Sequence, residues 1–452
     1  MGAELSDKII LRGLASRYAE FARSDENREK IRLHRAVNDL EMIRPIVLID
    51  ELPWEEMEIE DELALQCEDE DYRRVEQELR RSLYKRKHMP ADLALPDYIG
   101  VEKVIYSTGI GVEVEEERLG KNNGGISSHK YHNIFREKGL EMLHDPVITY
   151  DEKETLRRFM KIAEAVGDIL PVKITGQPTG YDLGCKTWDT IAMLMGAEDL
   201  LIGLAEEPAF MHQLVQRLTD IFLHTVKQYE EQNLIDMEPL YCHSASASAS
   251  GMGKAAGDYE HNNLKKVWGR GLAQILAAVS PAMHDEFDIQ YMIKAMEPFG
   301  YVYYGCCEPL DRKIDILEQI PNLRKISITP WADINTAAER IGSRYVISCK
   351  PNPAQLSLGK LNRDAVYKEL AGILSACRKN NCSFELVLKD ISTVNGKPGK
   401  PGAAFRCDPA AVRGRGGTAP GEDRWEKVPA ERPAGDKRPD LLLPAVDGSF
   451  LR

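Results

Sequence analysis

Two rhythms of apolar positions run along the chain. Short apolar runs, the mark of buried strands, recur between longer stretches with helical spacing. Residues 5–40 carry helical spacing and are rich in Arg, Glu, Ala and Leu. Ile43 to Leu52 then reads as a first buried strand, ending in Asp50 and Glu51. From 53 to 150 the rhythm breaks. A charged helix is expected from Asp69 to Lys85 as a solvated face, a strand or hairpin from Val101 to Glu117, and a loop at Lys121 to Gly125. We read 53–150 as an excursion covering one end of the main domain.

Beyond Asp151 the pattern is regular. Helices are expected over 152–167, 188–195, 208–233, 281–299, 310–319, 334–341 and 364–380, with a short apolar segment at 200–205. Strands are expected to start near Ile43, Leu170, Pro239, Leu272, Tyr301, Leu323, Tyr345 and Phe384. Eight strands mostly separated by helices imply parallel pairing with right-handed crossovers. Closed on itself, that arrangement is a (β/α)8 TIM barrel. An open doubly wound sheet is the alternative, but no G-x-G-x-x-G opens a helix. The organisation expected is an N-terminal helical extension over 1–40, the α/β barrel over 41–395, and a tail over 396–452. Pro and Gly make up about 30% of that tail and its apolar periodicity is lost, which predicts disorder unless a frame shift produced it. No covering helix is expected after Phe384 to Leu388.

Composition narrows the function classes. A net charge of −13 disfavours nucleic-acid and anionic-membrane partners, which need a basic face. No apolar run is long enough to predict a membrane helix, and the N-terminal residues lack a secretory pattern. Nine scattered cysteines, an odd number, fit free thiols in a reducing cytoplasm.

The chemistry concentrates in Phe299-Gly-Tyr-Val-Tyr-Tyr-Gly-Cys-Cys-Glu-Pro309. It starts as a buried strand and ends in two thiols and a carboxylate, at the strand end where a barrel places its reactive groups. Other expected strand ends carry Glu51, Gln177, His243, Gln274, Cys349, Lys350, Lys389 and Asp390. Loops are polar in any case, so no single one of these positions is diagnostic. We take Glu51, His243 and Glu308 as candidate catalytic residues, and Gln177, Gln274, Lys350 and Asp390 as candidate cofactor-binding residues. Cys306, Cys307 and Cys349 are the candidate metal ligands, with zinc as the metal, because zinc takes thiolate, imidazole and carboxylate donors. The plain alternative is that the strand cysteines are small buried hydrophobes. Ser280-Pro281 reads as a helix N-cap with proline in the first turn. Trp188 and Trp268 read as core or lid residues.

Gly300-Tyr-Val-Tyr-Tyr-Gly-Cys-Cys-Glu-Pro-Leu310, preceded by Gln274, Val279-Ser-Pro281 and Glu286-Phe287, resembles the uroporphyrinogen decarboxylase superfamily, which includes corrinoid-dependent methyltransferases. Leu388-Lys-Asp-Ile-Ser-Thr393 adds to the resemblance, which spans roughly residues 40–395 by order of elements. It implies the barrel fold. True decarboxylases of the family carry arginines after the first strand; this chain has the acidic Ile49-Asp-Glu-Leu-Pro-Trp-Glu-Glu56 there. The methyltransferase branch has His-x-Cys at the fifth strand and a distant Cys after the eighth. Here Cys306 matches the first thiol, while Tyr304 and Ser392 stand at the other two places.

The resemblance therefore implies a methyltransferase moving a methyl group to or from a corrinoid, with a small-molecule donor or acceptor. No D-x-H-x-x-G signature occurs in the chain, so the corrinoid is expected on a separate partner protein. The alternatives are a cofactor-free decarboxylase, for which Arg44 and Arg270 are the nearest carboxylate-binding candidates, and a non-catalytic binding protein on the same fold. The common expectation is spatial: Glu51, His243, Cys306 and Cys349 converge on one rim.

Overall fold

The computed structural model describes residues 2–119, 128–135, 139–180, 183–253 and 261–405. The expected loop at 121–125 and the tail beyond Phe405 lie outside these residues, as do residues 254–260.

Fourteen strands occur among the described residues. In chain order they are β1 Ile46–Ile49, β2 Ile99–Glu102, β3 Val104–Ser107, β4 Glu116–Leu119, β5 Ser128–Tyr131, β6 Ile148–Asp151 and β7 Val172–Thr175. There follow β8 Tyr241–Cys242, β9 Ala245–Ser246, β10 Trp268–Gly271, β11 Tyr301–Tyr304, β12 Leu323–Ile328, β13 Val346–Cys349 and β14 Ser383–Leu388. Six of them form one sheet in the order β1-β14-β13-β12-β11-β10. All its pairings are parallel. The class is therefore α/β.

The other two expected strands pair elsewhere. β7 lies parallel to β2, and β8 folds back antiparallel onto β9. The reason at β8 is local: the chain turns at His243, whose φ is +48°, after only two paired residues. Single bridges join Cys185 to Gly271 and Gln177 to Ile235.

Strand alternation gives the six-stranded sheet two unlike faces. Ile326, Ile328, Ile347, Cys349, Phe384, Leu386 and Leu388 join the main hydrophobic core. Helices Asp25–Asn38, Ile334–Ile341 and Arg363–Lys379 also give residues to that core. The opposite face is buried yet polar, carrying Arg270, Tyr303, Lys325, Ser327, Ser348 and Glu385. In-register pairing of Arg270 with Tyr303 with Lys325, and of Ser327 with Ser348 with Glu385, sets these side chains together. The hairpin β8–β9 covers that face. Ser246 Oγ bonds Glu385 at 2.6 Å, and Trp268 Nε1 donates to Ala247 O at 2.8 Å.

Several elements differ from their sequence expectation for identifiable reasons. Residues 5–40 form two helices, Gly2–Ala22 and Asp25–Asn38. Ser24 caps the second by accepting from the Asn27 N–H. The charged helix Glu70–His88 is not wholly solvated: Tyr72, Val75, Glu76, Leu79 and Tyr84 are buried. Tyr72, Val75 and Leu79 belong to a second core shared with the N-terminal helix and Glu152–Val166. The strand expected from Leu272 lies earlier, at β10, followed by a 3-10 turn Gln274–Ala278. Its glycines hid it. A Cβ on Gly269 would stand 2.6 Å from Phe299, and one on Gly271 2.5 Å from the Met292 sulfur. The expected helix 310–319 shrinks to Ile314–Leu317. Residues 200–205, read as a plain apolar segment, lie in the helix Ala197–Glu206. After β14 the described chain has one short helix, Lys400–Ala404.

Candidate active site at the strand ends

β11 ends at Gly305, whose φ of +95° turns the chain sharply and delivers Cys306 and Cys307 to the rim. Glu308 fixes this turn from below. It is buried, and its carboxylate accepts the Cys306 N–H at 2.8 Å and the Ala273 N–H at 3.2 Å. Glu308 thus positions the thiols rather than facing the opening.

β14 supplies the cation. Alternation puts Lys389 on the same face as Glu385, so its ammonium reaches the rim. Lys389 Nζ lies 3.2 Å from Glu51 Oε2, 3.0 Å from Asp390 Oδ2, 3.4 Å from His243 Nε2 and 3.9 Å from Cys306 Sγ. Glu51, after β1, also accepts from Ser244 Oγ at 2.8 Å and from the Asp390 N–H at 3.2 Å. Glu51, His243 and Asp390 all have positive φ, near +50°. Such backbone in a non-glycine residue is uncommon, and three cases meet at one rim.

The thiols complete the cluster. Cys306 Sγ is 3.7 Å from Cys307 Sγ and 3.8 Å from His243 Nε2. Cys307 Sγ contacts Asp390 Oδ2 at 3.5 Å. The Cys307 S–H, His243 and the cations Arg270 and Lys389 outweigh burial and hold Cys306 well below the usual thiol range. Cys307 is pushed up in return, mainly by its contact with Cys306. Burial opposes the charge on Lys389, but Cys306, Asp390 and Glu51 keep it protonated, above the ordinary lysine range. The arrangement is a buried thiolate beside a fixed ammonium and an imidazole, which is the environment of a reactive cysteine.

Three of the four residues expected to converge do so: Glu51, His243 and Cys306. Cys349 does not. It is in register with Ile328 and Leu386, on the helix-covered face, where burial pushes its thiol up to about 12. It is a core residue. Lys350, the next residue, lies on the other face and bonds Tyr303 Oη and Ser348. Gln274 is one step removed, its Nε2 donating to Asp189 at 2.7 Å. Gln177 is held on a different edge by backbone bonds to Leu234 and Asp236. That edge borders a separate cleft lined by Tyr98, Lys173, Thr175 and Glu238 among others. Arg44 precedes β1, at the opposite rim, and is paired with Asp92 at 2.6 Å. It therefore serves no ligand at the Cys306 rim.

The zinc expectation meets the same geometry. Among the described residues no group of three or more His, Cys, Asp or Glu is placed to hold a metal ion. Cys349 is turned away, and the Lys389 ammonium already fills the middle of the anionic cluster. The residues present do not fit zinc.

Sequence reasoning passed over Lys389 and Ser244 as actors, and missed Asp189. Alternation sets Lys389 on the face of Glu385, but that glutamate itself reads as a surface position, so the sequence gives no sign that Lys389 faces inward. Asp189 is pushed up to about 6 by burial and by Glu308 and Cys306, against the hydrogen bonds from Gln274. No sequence motif announces it.

Fold and site together define an α/β protein with two thiols, a histidine and a buried lysine gathered at the C-terminal ends of parallel strands. A scan against protein-family models found no match, and a search of curated proteins found none. Among solved structures the chain is similar to a methyltransferase from Methanosarcina mazei, at 12% identity and a TM-score of 0.41. The likeness covers 82% of this chain and 96% of that one. A likeness that distant carries no argument about the reaction. Among the described residues no helix is long and apolar enough to cross a membrane.

Proposed function

We propose that this chain is a methyltransferase that uses Cys306 as a thiolate nucleophile and exchanges the methyl group with a corrinoid carried on a separate protein. The observation that carries this reading is the Cys306 sulfur, set at the strand ends within 3.7 Å of Cys307 Sγ, 3.8 Å of His243 Nε2 and 3.9 Å of Lys389 Nζ. The motif resemblance of residues 300–310 and 388–393 supports the choice of methyl transfer among thiolate chemistries. The (β/α)8 barrel belongs to the same reading. Cys185 borders β10 on one edge of the sheet, and Asp92 borders β1 on the other through bonds with Val47.

In the proposed reaction Cys306 Sγ attacks the methyl carbon in line. The S–C bond forms as the donor–methyl bond breaks, and the bonding pair leaves with the donor. The acceptor then attacks the same carbon, and Cys306 regains its thiolate. Lys389 and His243 stabilise the sulfur's negative charge before attack and on release. Glu308 keeps the Cys306 turn in place, and the acidic rim of Glu51 and Asp390 anchors Lys389. Neither step needs a metal.

The test is incubation of the purified chain with methylcobalamin and a panel of small acids and thiols as partners. Cobalamin-dependent turnover is expected, with methyl on Cys306 in peptide mass spectra. Cys306→Ala should lose roughly a hundredfold or more in rate. Absence of both turnover and methylated Cys306 overturns the reading. Carbon dioxide released from uroporphyrinogen would move it to the decarboxylase alternative.

A further inference from the structure

The polar face of the sheet carries four lysine and arginine side chains deep in the fold, and two of them have carboxylate partners. Lys325 pairs with Glu385 at 2.9 Å, and Lys389 with Glu51 and Asp390. Arg270 and Lys350 have none among the described residues, although they are only 1% and 5% exposed. Both pack on one ring: Arg270 Cζ is 4.2 Å and Lys350 Nζ 5.1 Å from the Tyr303 centroid. Lys350 spends its donors on Tyr303 Oη and on Ser348 O and Oγ. Arg270 does not. Nη1 donates to Gly305 O, and Nε has no hydrogen-bond partner among the described residues. A guanidinium has five donors and cannot shed its charge, so an underused one in the interior is costly. Here it is held rigidly beside the turn that carries Cys306.

We propose that Arg270, with Lys350 behind the Tyr303 ring, forms an oxyanion-binding subsite next to Cys306, and that the small-molecule substrate bears a carboxylate or similar oxyanion. Gly305 O and the Tyr303 ring fix the plane of the guanidinium. Its free N–H groups then offer a fork that a planar carboxylate matches. Lys350 adds charge without a direct contact. The bound oxyanion balances the two cations that lack a carboxylate and brings the reacting carbon to the sulfur. This deepens the reading above by naming its substrate class.

The test does not depend on methyl transfer. Alkylation of Cys306 by anionic iodoacetate and by neutral iodoacetamide is followed by peptide mass spectrometry on the unaltered full chain. A subsite makes the iodoacetate rate saturate with concentration and makes sodium sulfate compete with it. In Arg270→Gln, the iodoacetate-to-iodoacetamide rate ratio should fall about tenfold, the worth of one charged hydrogen bond. A guanidinium that only tunes the thiol slows both reagents alike and leaves the ratio unchanged. An iodoacetate rate linear in concentration and indifferent to sulfate overturns the proposal, and it is read on the unaltered chain even if Arg270→Gln fails to fold. Saturation without any methyl transfer would sink the proposed function and leave the subsite standing.

Discussion

Lys389 adds to the lowering of the Cys306 thiol after Cys307, His243 and Arg270, and it is the buried cation that contacts the sulfur, Glu51, Asp390 and His243 at once. A thiol held below its usual range stays ionised as pH falls through the ordinary thiol pKa of about 8.5. Alkylation of Cys306 is therefore expected to stay nearly flat from about pH 8 to about pH 6, where a free thiol loses roughly tenfold per unit. In Lys389→Gln the thiolate loses a stabilising cation, so the same profile should move to higher pH. A profile that does not move would show that Lys389 leaves the sulfur alone. Cys306, His243 and Glu51 were legible in the sequence because each ends an apolar run. Cys349 was not, since its run points it at the helices once the register with Ile328 and Leu386 is known. Arg270 was visible as a residue but not as an underused donor, which only packing reveals.

At the scale of an element, the turn after β11 depends on Gly305. Its φ of +95° is closed to most side chains, and an added Cβ would stand 2.5 Å from Leu310 Cδ1 and 3.1 Å from Ser327 Cβ. Gly305→Ala should cost about 1–3 kcal/mol in urea unfolding and displace Cys306, slowing its alkylation. Unchanged stability and reactivity would show that the turn tolerates another geometry. Elements with strong local signals were read closely: the helix Ile334–Ile341 and strand β14 lie where the periodicity put them. β10 was not, because Trp268-Gly-Arg-Gly looks like a loop until Met292, Met296 and Phe299 press against its glycines. The helix after Pro309 was overread. Lys313 there turns inward to donate to Leu276 O and meet His284, and that tertiary demand cuts the helix short.

For the whole molecule, the polar face is held by one ion pair with no exposure on either side, Lys325 with Glu385. Ser246 and Ser348 bond the same carboxylate, tying the hairpin β8–β9 to the sheet. Burial opposes charge on Glu385, yet Lys325 and the two serines hold its pKa below the usual carboxylate range. With the folded pKa depressed, the stabilisation is full above the unfolded value of about 4.3 and is lost as pH falls through the folded one. Glu385→Gln strands a buried ammonium and should cost about 3–5 kcal/mol near neutral pH, read from urea unfolding. It should also flatten the acid limb of the stability curve. A variant as stable as the parent at neutral pH and on the acid limb would show that the pair is dispensable. The alternation of strands and helices made the α/β class legible. The charged interior was not foreseen, because Lys and Glu inside short apolar runs read as surface positions until both faces are covered.

The hairpin that covers the sheet's polar face has one last consequence. Ser246 and Trp268 tie it down there, through Glu385 and the Ala247 carbonyl. On the proposed reading, donor and acceptor both reach Cys306 from the strand-end side, where Cys307, His243 and Lys389 stand around the sulfur. On that reading they take turns, and the sulfur keeps what the first leaves for the second.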